Sequence, residues 1–186
     1  MKKSLVLIAA ASIALVLSGC GAGTAAESKG SDATSSTKEA SAAPTTAPTS
    51  DSSFKDGVLT TPELKIVITD HKVLAVGAKG NEYGKKPVIA FWYKITNLSA
   101  KDVSPMNFIF NLTAYQDNNP NAENKLEVGG LPDDRFLETQ MEKIKKDGTV
   151  ENAIAYELDD EITPVDLVAS TDLGMTELGK TSYKLK

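Results

Sequence analysis

The chain has 186 residues, with a single cysteine, a single histidine and 20 Lys and Arg against 25 Asp and Glu, for a net charge of −5. An acidic chain whose one arginine is Arg135 suits neither nucleic acid nor nucleotide, and no such partner is expected. A lone cysteine excludes an internal disulfide and any thiolate-rich metal site.

Lys2 and Lys3 precede an apolar run from Leu5 to Leu17, too short to span a bilayer but of the length of a secretory leader. The run closes on Leu17-Ser18-Gly19-Cys20, which resembles a bacterial lipobox. That resemblance implies cleavage between Gly19 and Cys20 and a diacylglyceryl group on the Cys20 sulfur. Two or more acyl chains anchor durably, at about 0.8 kcal/mol per buried CH₂. Loss of Lys2 and Lys3 with residues 1–19 leaves 18 cationic against 25 anionic side chains, a net charge of −7.

Residues 20–53 begin at the lipidated cysteine and continue as Ser, Thr, Ala and Gly, broken by Pro44 and Pro48. Such a segment buries too little apolar surface to offset ordering entropy, so it reads as a disordered tether. A flexible coil of this length averages roughly 30 Å end to end and reaches roughly 110 Å when stretched.

From Phe54 the composition changes: every Phe, Tyr and Trp lies in residues 54–186, a length suited to one domain with one core. The periodicity there is two. Leu64, Ile66 and Ile68 alternate with Lys65, Val67 and Thr69, in a strand that can run on to Val76. Val88–Thr96 is apolar on both faces and predicts a central strand covered on both sides. Phe108, Phe110, Leu112 and Ala114 alternate with Ile109, Asn111, Thr113 and Tyr115, predicting a strand over the whole stretch. Asp133–Lys146 fits either helical spacing or a strand entering Asp147-Gly148, and is taken as a short helix or loop followed by a strand. Val150–Leu158, Val165–Ala169 and Ser182–Leu185 complete the set. About seven short strands separated by turn chemistry predict an all-β fold, an immunoglobulin-like antiparallel β-sandwich.

The lipobox, the tether and the stretches FKDGVLTTPELKIVITDHKVL, KPVIAFWYKITNLSAKDVSP and AYELDDEITPVDLVAS resemble the lipoprotein family catalogued as domain of unknown function 5067. That family is grouped with telokin-like lipoprotein domains of Gram-positive bacteria. The resemblance implies an immunoglobulin-like sandwich, export and lipid anchoring at the extracytoplasmic face of the cell membrane. It implies no activity and supplies no catalytic residue.

Motifs with chemical meaning thin out on inspection. GMTELGKT, residues 174–181, matches a phosphate-binding loop at Gly174, Gly179, Lys180 and Thr181. Five residues remain after it, too few for the helix whose N-terminus would face the phosphates, so it reads as a turn feeding a terminal strand. Asp117–Glu123 opens like an EF-hand loop, but Ala122 stands at the glycine position and Val128 where the bidentate glutamate belongs. His71 has no nucleophile elbow to serve. Asp133-Asp134 and Asp159-Asp160-Glu161 read as surface charge rather than paired catalytic carboxylates. No cofactor, no resident metal and no catalysis are expected.

What remains is recognition. The loops Gly77–Lys86 and Asp117–Gly130 are long and rich in glycine or asparagine, and loops of a rigid sandwich carry binding sites. Glu82, Tyr83 and Lys85 in the first and Asp117 and Asn119 in the second are the candidate contacts, with a surface protein or wall-associated ligand as partner. An envelope spacer is the alternative reading, and a carboxylate-dependent hydrolase a third.

Overall fold

The computed structural model describes residues 52–171 and 174–186, so the leader, Gly19, Cys20 and nearly all of the tether lie outside the described residues. Eight strands occur there, in two antiparallel sheets. They are β1 (Ser53–Lys55), β2 (Val58–Thr60), β3 (Leu64–Leu74), β4 (Val88–Asn97), β5 (Leu112–Gln116), β6 (Thr149–Glu157), β7 (Val165–Thr171) and β8 (Thr176–Tyr183). One sheet runs β1-β2-β3-β4-β6 and the other β5-β7-β8. Their inner faces share one core, in which Leu59, Ile66, Ile89, Phe91 and Ile95 of the large sheet meet Leu112, Leu167 and Ala169 of the small one. The chain is an all-β sandwich.

β4 behaves as its composition demands. Ile89, Phe91, Tyr93 and Ile95 point into the core, while Val88, Ala90 and Trp92 join Leu74 and Ala155 in a second apolar cluster on the opposite face. That outer cluster is fixed by polar contacts as well: Trp92 Nε1 donates to Asp133 Oδ2 at 2.9 Å, and the same carboxylate binds Arg135.

Three expectations change. Phe108–Asn111 is a single helical turn, α1, and β5 starts only at Leu112. Pro105 begins a 3-10 turn whose Asn107 side chain accepts the Ser104 amide at 2.8 Å, and this turn feeds the helix. Phe108 and Leu112 are buried at helical i, i+4 spacing, whereas Phe110 is 61 % exposed instead of inward. The terminal strand also lies earlier than expected, at Thr176–Tyr183, so most of the phosphate-loop pattern is itself an extended strand paired with β7. Asp133–Lys146 contains one 3-10 turn, Asp134–Phe136, and a bridge from Ile144 to Val103.

The hairpin β1–β2 adds two strands to the expected set, in place of the one expected within Asp133–Lys146, and its Asp56 and Gly57 both take positive φ, 51° and 74°. This hairpin closes one side of the sandwich. β1 lies so close to β8 that a Cβ on Gly179 (φ 137°) would stand 2.4 Å from the Phe54 carbonyl oxygen. The other side is closed by Asn124–Gly129, which strings between the free edges of both sheets. Gln116 N and Leu126 N bond to Asn124 O and Ala114 O on the β5 side. Glu157 N and Gly129 N bond to Glu127 O and Ala155 O on the β6 side.

Candidate functional site

Register places the two candidate loops at one end. Leu74 pairs with Val88, Val88 with Glu157 and Gln116 with Val165. The connections 75–87, 117–123 and 158–164 therefore all leave the sandwich at the same pole. Ser53 pairs with Thr60, Thr60 with Lys65, Lys65 with Thr96 and Thr96 with Thr149, so the chain enters from the tether at the opposite pole.

The first loop is held from within. Buried Asn81 donates from Nδ2 to the carbonyl oxygens of Leu74 (3.2 Å) and Lys86 (2.9 Å), tying the loop's two stems together. Glu82 stays exposed but folds back on the loop and accepts the Gly80 amide at 2.9 Å. Backbone hydrogen bonds from its own amide and from Gly80 hold its carboxyl below the usual range. Tyr83 is 98 % exposed and Lys85 is exposed beside it. Of the three named residues, Glu82 serves the loop and Tyr83 and Lys85 face outward.

The second loop divides. Asn124–Gly129 is the strap between the sheets, which leaves residues 117–123, with Asp117 and Asn119, as the part free to contact anything. Asn119 Oδ1 accepts the Asn121 amide at 2.9 Å, shaping the tip.

Asp159 joins the loops. Its Oδ1 takes Lys86 Nζ at 2.8 Å and its Oδ2 takes Asn124 Nδ2 at 2.8 Å. Those two donors, lysine first, hold its carboxyl low. Asp160 accepts Asn118 Nδ2 at 2.9 Å and the amides of Ile162 and Thr163, and sits well below the usual carboxylate range for that reason. Beneath them Gln116 is 0 % exposed. Its Nε2 donates to the carbonyls of Asp160 (3.0 Å) and Thr163 (2.9 Å), and its Oε1 accepts the Asp159 amide (2.8 Å). The acidic run is thus the brace of the loop end. Gln116 was not legible as such, because an amide at a strand terminus gives no periodic signal.

Beside the second loop, the outer face of β5-β7-β8 is a groove of about 530 Å³. Tyr115, Phe110 and Val168 form its floor, with Asp117 and Glu123 at the loop and Glu177 on β8. Burial raises the Tyr115 phenol, and the nearby charges of Glu123 and Glu177 add to that. Lys125 and the Lys180–Asp166 ion pair line it as well, so an aromatic floor meets a rim of mixed charge, a surface suited to stacking and charge contacts.

Other sequence candidates fall elsewhere. His71 lies on β3 against Tyr183, ring centroids 4.9 Å apart, with no acid–base partner among its described contacts. Among the described residues no group of three or more His, Cys, Asp or Glu side chains is placed to hold a metal ion.

Fold and loop end together define a sandwich module that displays its connections at one pole. In sequence the chain belongs to the family described as a domain of unknown function (DUF5067), which matches residues 36–171. No curated protein matches it. A candidate lipoprotein of known structure from Staphylococcus aureus is similar, with 22 % identity and a TM-score of 0.62 over 73 % of this chain and 93 % of that one. A protein from Enterococcus faecalis solved by NMR is similar too, with 18 % identity and a TM-score of 0.53 over 73 % of this chain and 94 % of that one. At these identities the likeness is one of fold.

Proposed function

We propose that the protein is a surface lipoprotein, held at the extracytoplasmic face of the membrane through Cys20, whose sandwich is a non-catalytic binding or accessory module. The observation that carries this reading is the polarity of the domain. The tether joins at the pole of Ser53 and Thr149, while the braced loops stand at the other end of the ten-residue strand β4, about 30 Å away. The leader, the lipobox tetrad and the tether support anchoring, as does the lipoprotein description of the similar staphylococcal protein. No helix among the described residues is long and apolar enough to cross a membrane. Support for a binding role comes from the rigid display of Tyr83 and Lys85 and from the aromatic groove beside Asp117. The use of Asp159 and Asp160 as acceptors within the brace argues for recognition rather than hydrolysis.

The test replaces Tyr83 and Lys85 with alanine in the anchored protein and measures the yield of covalent partner adducts from a photo-reactive residue at Asn119. The reading predicts loss of about nine-tenths of the adduct with an unchanged melting temperature, as when exposed hot-spot side chains are truncated. An unchanged adduct yield contradicts it and favours an envelope spacer.

A further inference from the structure

β3 outruns its partner on one side. β2 pairs with Lys65–Val67, Gly57 O accepts the Ile68 amide, and beyond that no described residue pairs with this edge of β3. Register gives the direction of the unpaired groups. Glu157 N and Ala155 O turn away from β4 toward the strap, so Tyr156 and Ile154 bond to Ile89 and Phe91. Val88, Ala90 and Trp92 then bond to Leu74, Lys72 and Asp70, which leaves the amides and carbonyls of His71 and Val73 facing outward. The His71 amide is met by the carboxylate of the preceding Asp70 at 2.8 Å.

Between this edge and residues 182–186 lies a slot of about 550 Å³. Val73, Tyr183 and Leu185 make its apolar floor, and the Tyr183 ring is fixed edge-on against His71 and Phe91, at 4.9 and 5.0 Å. Lys72, Lys184 and Lys186 rim it, no Asp or Glu is among its lining residues although the Asp70 carboxylate lies at the His71 amide, and none of these lysines enters an ion pair among the described residues. A basic, apolar-floored slot along an open strand edge in an acidic chain has a definite complement.

We infer that this edge is a docking site for an extended acidic peptide segment of a partner protein, which adds as a strand beside Thr69–Val73. The Val73 amide and the carbonyls of His71 and Val73 supply the main-chain pairing, the His71 amide keeping its Asp70 carboxylate, and alternate side chains of the guest fall on the floor of Tyr183 and Leu185. Its acidic residues meet the lysines. A second copy of this chain fits poorly, since a two-fold contact sets the same lysines against one another. The slot shares no lining residue with the loop groove, so its failure leaves the loop-end reading standing.

The test uses the full mature chain with Cys20→Ser and a synthetic ten-residue peptide of alternating Thr/Val and Glu, against the same peptide with Lys for Glu. Amide shifts and exchange protection are followed by NMR. The expected result with the Glu peptide is selective shift of His71 and Val73 and new exchange protection of the Val73 amide, the His71 amide being already bonded to Asp70. Val73→Pro removes an outward N–H that no strand of the fold uses, and is expected to weaken binding about tenfold or more, as is Lys184→Glu with Lys186→Glu. Binding that survives Val73→Pro but is lost with the lysines marks a polyanion held by charge and overturns strand addition. Shifts that grow with protein concentration alone mark a second copy and overturn it as well. Absence of any shift at His71 and Val73 with the Glu peptide overturns the inference outright.

Discussion

Gln116 meets the backbone of the 158–164 connection with both ends of its amide, at 0 % exposure. Gln116→Leu strips partners from several buried backbone groups at once, and an orphaned buried polar group costs about 1–3 kcal/mol. The variant is expected to lose about 3 kcal/mol in chemical denaturation, with a folded far-UV spectrum below the transition. Asp133 makes a different residue-scale case. The guanidinium hydrogen bond from Arg135 is the main reason its carboxyl lies well below the usual range, and the side chain is only 16 % exposed. Its contribution is therefore complete above the unfolded carboxylate value of about 4 and fades as pH falls below that. Asp133→Asn, which still offers Trp92 an acceptor, is expected to lower the melting midpoint by about 4 °C at pH 7. The deficit should shrink steadily as pH falls below about 4, because the unfolded carboxyl takes up its proton there while the folded one holds its charge to much lower pH. A deficit independent of pH would contradict the ionic account. Neither residue was legible in sequence as more than polarity: Gln116 and Asp133 take their meaning from partners reached only through the fold.

At the scale of elements, legibility followed burial. β4, apolar toward the core throughout, and β6, where Ile154 and Tyr156 face the core beside the buried Asn152, lay where alternation put them. β1 and β2, three residues each, are too short for periodicity to register, although Asp56-Gly57 is a hairpin dipeptide. Phe108–Leu112 fits period two and period 3.6 alike, and Pro105 with the Asn107 cap decides for the helical turn. The strap Asn124–Gly129 was read as loop because its hydrogen bonds go to two different sheets and it forms no ladder of its own. It is held by the buried Leu126, and Leu126→Ala is expected to cost about 2–4 kcal/mol. Hydrogen exchange gives the sharper check: the Gln116 and Glu157 amides, which bond to Asn124 and Glu127, should exchange faster while those of central β4 stay protected. Uniform acceleration would mean the strap is only one more piece of the core.

Over the whole molecule, the sandwich has two dissimilar poles. The chain arrives beside Thr149 and the Asp147-Gly148 turn, while Tyr83, Asp117 and Asn119 lie with the cross-braced loops at the other. Sequence could name both loops, because glycine and asparagine mark long connections, but not that Asp159 ties them together, since that depends on strand order. The anchoring proposed at Cys20 would put residues 20–53, roughly 110 Å when fully extended, between the membrane and the near pole. The most direct measurement is photo-crosslinking in living cells, with the reactive residue placed in turn at Tyr83, at Asn119 and, as the near-pole control, at Glu63. The account predicts one dominant protein adduct from Tyr83 and Asn119 and none from Glu63. Equal adducts from all three positions, or adducts from Glu63 alone, would contradict it.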